Sequence, residues 1–156
     1  MATIMRTIPL TRGMLTLVDD ELFDYINQYK WQFNTKYASR SVWINGKKNF
    51  LYLHHLILPK KEGYEIDHIN RDRLDNRSKN LRYATSAQNH YNNAPRKDSR
   101  SGIKGVQKIG KKWQARIVKD GKTISLGYFI SKNLAILAYN EAAREIQGEF
   151  AYLNAI

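Results

Sequence analysis

The sequence predicts an α+β protein of two small domains, and three features of its pattern support this prediction. Short β-like runs with turn signals fill much of the N-terminal third, and a polar segment over residues 65–92 follows. After a basic stretch, three alternating runs precede one amphipathic helix, which is typical of an antiparallel sheet packed on that helix. We therefore expect a first domain over residues 1–91, a linker over residues 92–101 and a second domain over residues 102–156.

The first domain is predicted to begin with a hairpin and a helix. Residues 7–10 and 14–18 have the pattern of short strands around an Arg12-Gly13 turn. We expect Asp19 to cap the helix that follows, because a carboxylate accepts hydrogen bonds from first-turn N–H groups. Helical spacing gives this helix one apolar face, formed by Leu22, Tyr25, Ile26 and Tyr29.

A second hairpin is predicted around Asn45-Gly46, a pair typical of two-residue turns. Residues 37–44 and 47–53 are the strands that it joins, and residues 31–33 form a further strand. These segments carry no obvious chemistry, so we interpret them as scaffold. We expect their aromatic side chains to form core.

The second domain has the clearest pattern. Strands are predicted over residues 105–109, 112–118 and 122–126, with Asp120-Gly121 as a hairpin turn. Period-two alternation gives the sheet an apolar face. Its members are Trp113, Ala115, Ile117, Ile124 and Leu126. We expect the opposite face to be exposed and basic.

One helix is predicted to cover the apolar face of this sheet. Ser131 is placed to cap it, and Gly148 is placed to end it after about Gln147. The helix has a stripe of mostly small residues, which permits close packing on a sheet. The stripe consists of Leu134, Ala135, Ala138, Tyr139, Ala142 and Ile146.

The formal net charge of +12 indicates a polyanionic partner. Residues 96–122 contain ten basic and two acidic residues. The alternation and the glycines of this stretch favour a sheet, whereas binding to a membrane surface calls for a basic amphipathic helix. We therefore expect double-stranded DNA as the partner, no membrane, and a monomer or homodimer.

Composition also excludes two kinds of site and predicts a location. The chain has no cysteine, which excludes disulfides and cysteine-based zinc sites. No segment approaches the roughly 20 apolar residues needed to cross a bilayer. These features predict a cytoplasmic protein that acts on DNA inside the host cell and is not secreted.

The polar segment over residues 65–92 predicts a metal-dependent site that cuts phosphodiester bonds. Mg²⁺ prefers oxygen ligands and needs only one or two from the protein, and we expect one such ion, with Mn²⁺ as a substitute. Asp67 and Asn89 offer oxygen ligands, and His68 can take the proton of an attacking water. Asn80 is placed either to fix the His68 tautomer or to pin the loop.

Two strands and a helix are predicted to carry this site. Residues 64–70 and 81–85 have strand patterns, and residues 71–80 form a polar loop between them. Ser86 is expected to cap a short helix that carries Asn89. This order can bring the acid, the histidine and the asparagine into one crevice.

Three other histidines have alternative interpretations. His54 and His55 are adjacent and point in different directions, so we do not expect them to bind one metal ion together. His54 is interpreted as a core histidine packed near the site, with a phosphate contact or a role at the metal as the alternative. His90 directly follows Asn89 and is the alternative metal ligand.

The pattern IDHINRDRLDNRSKNLR followed by SAQN resembles the HNH nucleases, especially the small phage- and intron-encoded HNH homing endonucleases. The segments WQF, YASR and LHHLIL are similar to those that precede the motif in that group. The resemblance covers residues 7–92 and implies a ββα-metal fold. It implies His68 as general base, Asp67 and Asn89 as metal ligands and an orienting role for Asn80. Many members have a histidine ligand at the end of the motif, but the spacing from Asn80 favours Asn89.

Residues 102–153 resemble the plant apetala-two/ethylene-response-factor DNA-binding domain, through SGIKGVQKIGKKWQARIV, LGYF and AILAYNEAAREIQGEFAYLN. That family lays its three-stranded sheet in the major groove, which implies contacts from the exposed face. Exposed arginines and tryptophans of the plant pattern are largely replaced here, so we expect fewer direct base contacts. With the basic loop and linker, the predicted DNA-binding set is Arg71, Arg73, Arg77, Arg96, Lys97, Arg100, Lys104, Gln107, Lys108, Lys112, Arg116 and Lys122.

These patterns lead to two hypotheses of function. The first is a metal-dependent DNA endonuclease of the homing type that nicks one strand per active site and has a C-terminal targeting domain. The alternative is a non-catalytic DNA-binding regulator with an inert HNH domain. The complete acid, histidine and asparagine set favours the nuclease. A histidine-zinc module is less well supported, because the four histidines are scattered.

Overall fold

The computed structural model describes residues 5–156 and confirms the α+β class. The chain divides into two compact units, one ending at Thr85 and one starting at Ser86. The helix that starts at Ser86 lies in the second of these units. Within residues 5–156, no helix is long and apolar enough to cross a membrane.

The first unit begins with the predicted hairpin and helix. β1 (Met5–Pro9) pairs antiparallel with β2 (Leu15–Asp19), and α1 (Asp20–Asn27) follows directly. Asp19 occupies the N-cap position, but its carboxylate accepts a hydrogen bond from the Ser78 backbone N–H (2.7 Å) and not from α1. The capping prediction was wrong, because a distant loop uses this carboxylate.

The core of the first unit includes residues of this hairpin, of α1 and of the following sheet. On α1, Ile26 is buried and Leu22 packs against the core, whereas Tyr25 is exposed; Tyr29, just after the helix, also packs against the core. The predicted stripe therefore holds for three of its four members. The buried residues of this core cluster are Ile8, Leu10, Val18, Ile26, Trp31, Ala38 and Leu53.

A three-stranded antiparallel sheet follows, formed by β3 (Gln32–Asn34), β4 (Tyr37–Ile44) and β5 (Lys47–Tyr52) in that order. Asn45 and Gly46 have positive φ angles of 50° and 73°, which confirms the predicted two-residue turn. β3 pairs with β4 only at the start of that strand, so the outer part of the β4–β5 hairpin has two strands.

The prediction that the aromatic side chains of this region form core was wrong for the hairpin. Trp31 is buried, but Trp43 is 73% exposed and Phe50 is 46% exposed. Both lie on the two-stranded part, beyond the end of β3. Alternation assigns a side chain to a face of a sheet, but it does not say whether anything covers that face.

The first unit ends with the elements predicted to carry the site. α2 (Leu53–Ile57) leads to β6 (Glu65–His68), which pairs antiparallel with β7 (Leu81–Ala84). Residues 69–80 form the loop between these strands and close in a 3₁₀ turn over Ser78–Asn80. The predicted strand-loop-strand order is confirmed.

The second unit begins with α3 (Ser86–Asn92), in which Ser86 is the first helical residue and not a preceding cap. A second three-stranded antiparallel sheet follows, with β9 at its centre. Its strands are β8 (Val106–Ile109), β9 (Lys112–Lys119) and β10 (Lys122–Phe129), and α4 (Lys132–Gln147) comes after them. The predicted sheet and helix are thus confirmed.

Helix α4 begins and ends as predicted. The Ser131 hydroxyl accepts a hydrogen bond from the Leu134 N–H (3.2 Å), and Gly148 ends the helix with a φ of 56°. The buried face is rotated from the predicted stripe, because Ile136 and Ala143 are buried while Leu134 is exposed.

Gly105, which directly precedes β8, packs tightly against Tyr139 of α4. This residue has a φ of 68°, and a Cβ at this position would overlap the Tyr139 ring and the Arg116 carbonyl oxygen. Glycine is therefore required both by the backbone conformation and by the packing. The core of this unit consists of Val106, Ala115, Ile117, Ala135, Ile136, Tyr139 and Ala143.

Candidate active site

Strand β6 carries the acid and the histidine as neighbours, so their side chains point to opposite sides of the strand. Asp67 and His68 are both buried. The β6–β7 register places Arg82 opposite Asp67, and the Arg82 Nε and Nη2 atoms contact Asp67 Oδ2 at 2.9 and 2.8 Å. The carboxylate is thus held by an arginine of the neighbouring strand.

The His68 imidazole is oriented by Asn76, a loop residue that sequence reasoning missed. Nε2 of His68 lies 3.3 Å from Asn76 Oδ1. Asn76 is fully buried, and its Nδ2 donates to Thr16 Oγ1 (2.8 Å), which fixes the direction of the amide. Since Oδ1 can only accept, His68 donates from Nε2, and Nδ1 is the basic nitrogen.

The N-terminal hairpin holds the loop that contains Asn76. The Leu17 N–H donates to the Leu74 carbonyl (2.8 Å), and the Asn76 N–H donates to the Leu17 carbonyl (2.9 Å). The Thr16 hydroxyl donates to the same Leu74 carbonyl (2.7 Å). β2 therefore acts as a support for the loop, which gives the predicted scaffold a specific role at the site.

Asn80 makes its hydrogen bonds within the loop. Its Oδ1 accepts from the Asn70 N–H (3.0 Å), and its Nδ2 donates to Asn70 Oδ1 (3.0 Å) and to the Asp75 carbonyl (2.7 Å). These bonds correspond to the loop-pinning alternative. Nothing in the sequence ranks Asn76 above Asn70 or Asn80, because the deciding contact is made by β2.

Aromatic rings surround His68. The His54 ring, from α2, lies 5.4 Å from the His68 ring between centroids, and Tyr37 lies 6.2 Å from it. Burial lowers the pKa of His68, although the hydrogen bond to Asn76 and the Asp67 charge act in the opposite direction. Burial is the main cause, and the charge of the neighbouring His55 the next, of a pKa of His54 that is lowered to about 3. Both imidazoles are therefore neutral at pH 7.

The loop arginines differ in what they contact. Arg77 Nε donates to the buried Asp75 carboxylate (2.7 Å), so its guanidinium stabilises the loop. The Arg73 guanidinium lies 4.9 Å from the Tyr37 ring centroid, and Arg71 is exposed. Of the three predicted DNA contacts in this loop, Arg77 has the clearest structural partner.

The other predicted metal ligands lie on α3, in the second unit. His90 is exposed, and its Nδ1 donates to the Ser86 carbonyl (2.7 Å) of the same helix. Asn89 is half-buried. The hydrogen bond at Nδ1 leaves Nε2 as the His90 nitrogen with ligand chemistry.

Lys104, a predicted DNA contact, holds the end of α3. Its Nζ donates to the carbonyls of His90 (3.0 Å), Tyr91 (2.6 Å) and Asn93 (2.6 Å). Its backbone N–H and carbonyl are in turn paired with the Asn154 amide, at 2.9 and 3.0 Å. An ammonium has three N–H donors, and all three are used on a helix end, so Lys104 is a helix cap in this structure.

The outward face of the second sheet is less basic than predicted. Its centre is a row of hydrogen-bonded neutral side chains, Gln107 to Gln114 (2.9 Å) and Gln114 to the Tyr128 hydroxyl (3.1 Å). By register, Lys112 and Arg116 lie on this face, whereas Lys108 and Lys122 alternate to the helix side. The predicted positive face is therefore limited to a few positions.

The linker adds basic residues to those of the sheet. An open cavity of about 1120 Å³ lies within the second unit between the linker and strands β8 and β9. Its basic lining residues are Arg96, Arg100, Lys104, Lys108 and Arg116, against the single acidic residue Asp98. Lys97 is exposed nearby in sequence. This surface has the charge that a phosphate backbone requires.

The residues fit a hard divalent ion through Asp67. Within the described residues 5–156, no group of three or more His, Cys, Asp or Glu side chains is close enough together to hold a metal ion. Mg²⁺ takes as few as one or two protein oxygens and keeps its remaining waters. The buried Asp67 carboxylate has this chemistry.

Comparison with known proteins identifies the family. The model of a family described as HNH endonuclease matches residues 52–91, which include β6, the loop, β7 and most of α3. The chain is 31% identical over 148 residues to an uncharacterized HNH endonuclease of Acanthamoeba polyphaga mimivirus, covering 93% of this chain and 77% of that relative. It is 33% identical over 97 residues to protein 3.8 of Escherichia phage T7, covering 60% of this chain and 78% of that relative. No solved structure matches significantly. The chain belongs to the HNH endonuclease family.

Proposed function

We propose that this protein is a metal-dependent DNA endonuclease in which His68 is the general base. One observation carries the proposal: a buried imidazole, kept neutral at pH 7, is oriented through Nε2 by a fixed amide. A general base must be unprotonated at working pH and held in one tautomer, and His68 meets both conditions.

The proposed reaction is hydrolysis of one phosphodiester bond. His68 Nδ1 accepts a proton from a water whose oxygen attacks the phosphorus, and the bond to the departing 3′ oxygen breaks. When bound, Mg²⁺ supplies Lewis-acid stabilisation of the phosphate and of the leaving oxygen. Asp67 holds the ion through its carboxylate, and Asn89 is the second ligand that the family resemblance implies. One site of this kind cuts one strand, so the product is a nick.

The C-terminal unit is proposed to select the DNA, as its resemblance to apetala-two domains implies. Arg116, Lys112 and Gln107 on the outward face and the basic linker support this role. The alternative, a regulator with an inert nuclease domain, uses the same surfaces for binding but does not cut.

The test is plasmid nicking with Mg²⁺ or Mn²⁺. We expect His68→Ala and His68→Gln to lower the nicking rate about 10²- to 10⁴-fold, the range for loss of a general base. Gln retains the volume and an N–H donor toward Asn76, so it separates lost chemistry from lost packing, and circular dichroism checks the fold of both. Full activity of His68→Gln, or activity in EDTA, contradicts the proposal.

The metal ligands are tested separately by titrating Mg²⁺. Asp67→Asn and Asn89→Ala are expected to raise the Mg²⁺ concentration for half-maximal nicking, and His90→Ala is not. The reverse result for the last two variants identifies His90 as the ligand. Tight DNA binding with no cleavage under either metal, on DNA that carries the native target, supports the regulator.

A further inference from the structure

The outer part of the β4–β5 hairpin, residues 41–50, forms an arm with exposed apolar side chains. β3 pairs with β4 only as far as Ser39, and the ladder beyond it consists of β4 and β5 alone. Trp43 is 73% exposed, and Ile44 and Phe50 are exposed as well. Single exposed apolar residues are common on protein surfaces, but Trp43 and Phe50 lie close together on one face of a short hairpin and form an exposed aromatic surface, while Ile44 lies on the opposite face.

The register of the arm groups its aromatic and basic side chains. Trp43 lies opposite Lys48, and Phe50 lies opposite Ser41, so all four share one face. Trp43 and Phe50 are diagonal neighbours, which are within reach of aromatic side chains. Lys48 Nζ lies 5.9 Å from the Phe50 ring centroid. The result is an aromatic face with the Lys48 ammonium at its end, and Lys47 lies on the opposite face near the tip.

The positive charge of the chain segment that contains the arm indicates the kind of partner that the arm binds. Residues 25–61 contain seven lysines and arginines and no acidic residue. Lysine is depleted in protein–protein interfaces, whereas phosphate contacts require it. A surface that combines exposed aromatic rings with unopposed positive charge therefore fits a nucleic acid better than it fits a protein.

The shape of the arm also matches a duplex. The major groove of B-DNA is about 12 Å wide and admits a two-stranded β-ribbon. Asn45 and Gly46 give the arm a tight two-residue tip, next to Lys47 and Lys48. A ribbon of this width places side chains of one face on base edges and its tip lysines near phosphates.

We infer that the arm enters the major groove of double-stranded DNA, with Trp43 as its anchor against the bases and with Lys47 and Lys48 on phosphates. The inference rests on the proposed function for its partner, since DNA is the proposed substrate. It does not depend on cleavage, because the arm contains neither His68 nor the proposed metal ligands.

The first test measures binding of a labelled duplex by fluorescence anisotropy in EDTA. Trp43→Ala is expected to weaken binding about tenfold, because it removes the apolar area that the ring buries against base edges and thymine methyl groups. Leu15→Ala is the matched control, because Leu15 is an exposed apolar residue of the same unit outside the arm. Lys47→Ala/Lys48→Ala is expected to lower the salt slope of log affinity by about 2.

A second measurement does not require a variant that loses binding. Acrylamide quenches exposed tryptophans, and the difference between the native chain and Trp43→Phe isolates the Trp43 signal. We expect DNA to protect this signal. Quenching that DNA leaves unchanged, together with equal affinities of Trp43→Ala and Leu15→Ala, overturns the inference.

The outcomes also separate the inference from the proposed function. Protection of Trp43 without any cleavage supports the arm and contradicts the nuclease. Normal nicking with an unprotected Trp43 supports the nuclease and overturns the arm. A Trp43→Ala variant that changes only the oligomeric state identifies a second copy of the chain as the partner, which also overturns it.

Discussion

The protein contains two three-stranded antiparallel sheets, and they differ in what covers them. α4 covers one face of the β8–β10 sheet, and its other face presents a neutral hydrogen-bonded row with only a few charges. The β3–β5 sheet instead extends a two-stranded arm that exposes Trp43 beside lysines. Two sheets with the same strand order thus differ in which side chains they expose. These exposed side chains, and not the strand order, indicate which sheet is suited to bind DNA.

The largest expected effect is a loss of stability when one glycine next to each three-stranded sheet is replaced by alanine. Gly105→Ala places a Cβ against the Tyr139 ring and the Arg116 carbonyl at a positive φ, so we expect the free energy of unfolding of the second unit to fall by about 3 kcal/mol or more. Gly46→Ala, on the arm, meets open space and is expected to cost only about 1 kcal/mol in the first unit.

Urea unfolding measures both values. Trp31 is buried in the first unit, and Trp113 packs in the core of the second. Variants that keep only one of these two tryptophans, with Trp43 also replaced by Phe, therefore report on each unit separately. Similar losses for the two glycine variants contradict the close contact between the second sheet and α4.

These contacts also mark the limit of prediction from sequence. The Asn45-Gly46 turn and the Ser131 cap were predicted because their chemistry involves neighbouring residues. Asn76 was missed because its amide is fixed by Thr16, sixty positions away in the chain. Lysines look alike in a sequence, so Lys104 was grouped with DNA contacts although its ammonium caps α3.

The second expected effect is a larger loss of stability in the first unit than in the second as the pH falls. The pKa of His54 falls to about 3 in the folded chain, so this imidazole stays neutral while the unfolded chain takes up a proton below about pH 6.5. Stability that is present above pH 6.5 is therefore lost as the pH falls toward 3. Between about pH 7 and pH 4.5 we expect the first unit to lose about 2–3 kcal/mol.

His54→Gln removes this titrating group and should reduce the acid-induced loss of stability of the first unit, read from Trp31. Part of the loss is expected to remain, because burial also lowers the pKa of His68 and of His55. The second unit, read from Trp113 in the variant that keeps only this tryptophan, is the control. A native chain and a His54→Gln variant with parallel curves contradict the assignment of the acid sensitivity to His54.

The smallest expected effect is on DNA binding, when the basic side chains on the outward face of the second sheet are removed. Lys112 and Arg116 are the basic side chains that the register of the second sheet places on its outward face. Each phosphate contact contributes about 0.9 to the salt slope of log affinity, so Lys112→Ala/Arg116→Ala is expected to lower that slope by at most about 2, with a loss of about 1 kcal/mol in binding. Anisotropy titrations at several salt concentrations measure both quantities. If these two residues account for most of the slope, the outward sheet face supplies the main charge contacts. If removing them leaves most of the slope, the charge contacts come from the linker and the arm, because neutral glutamines and a tyrosine cannot replace released counterions.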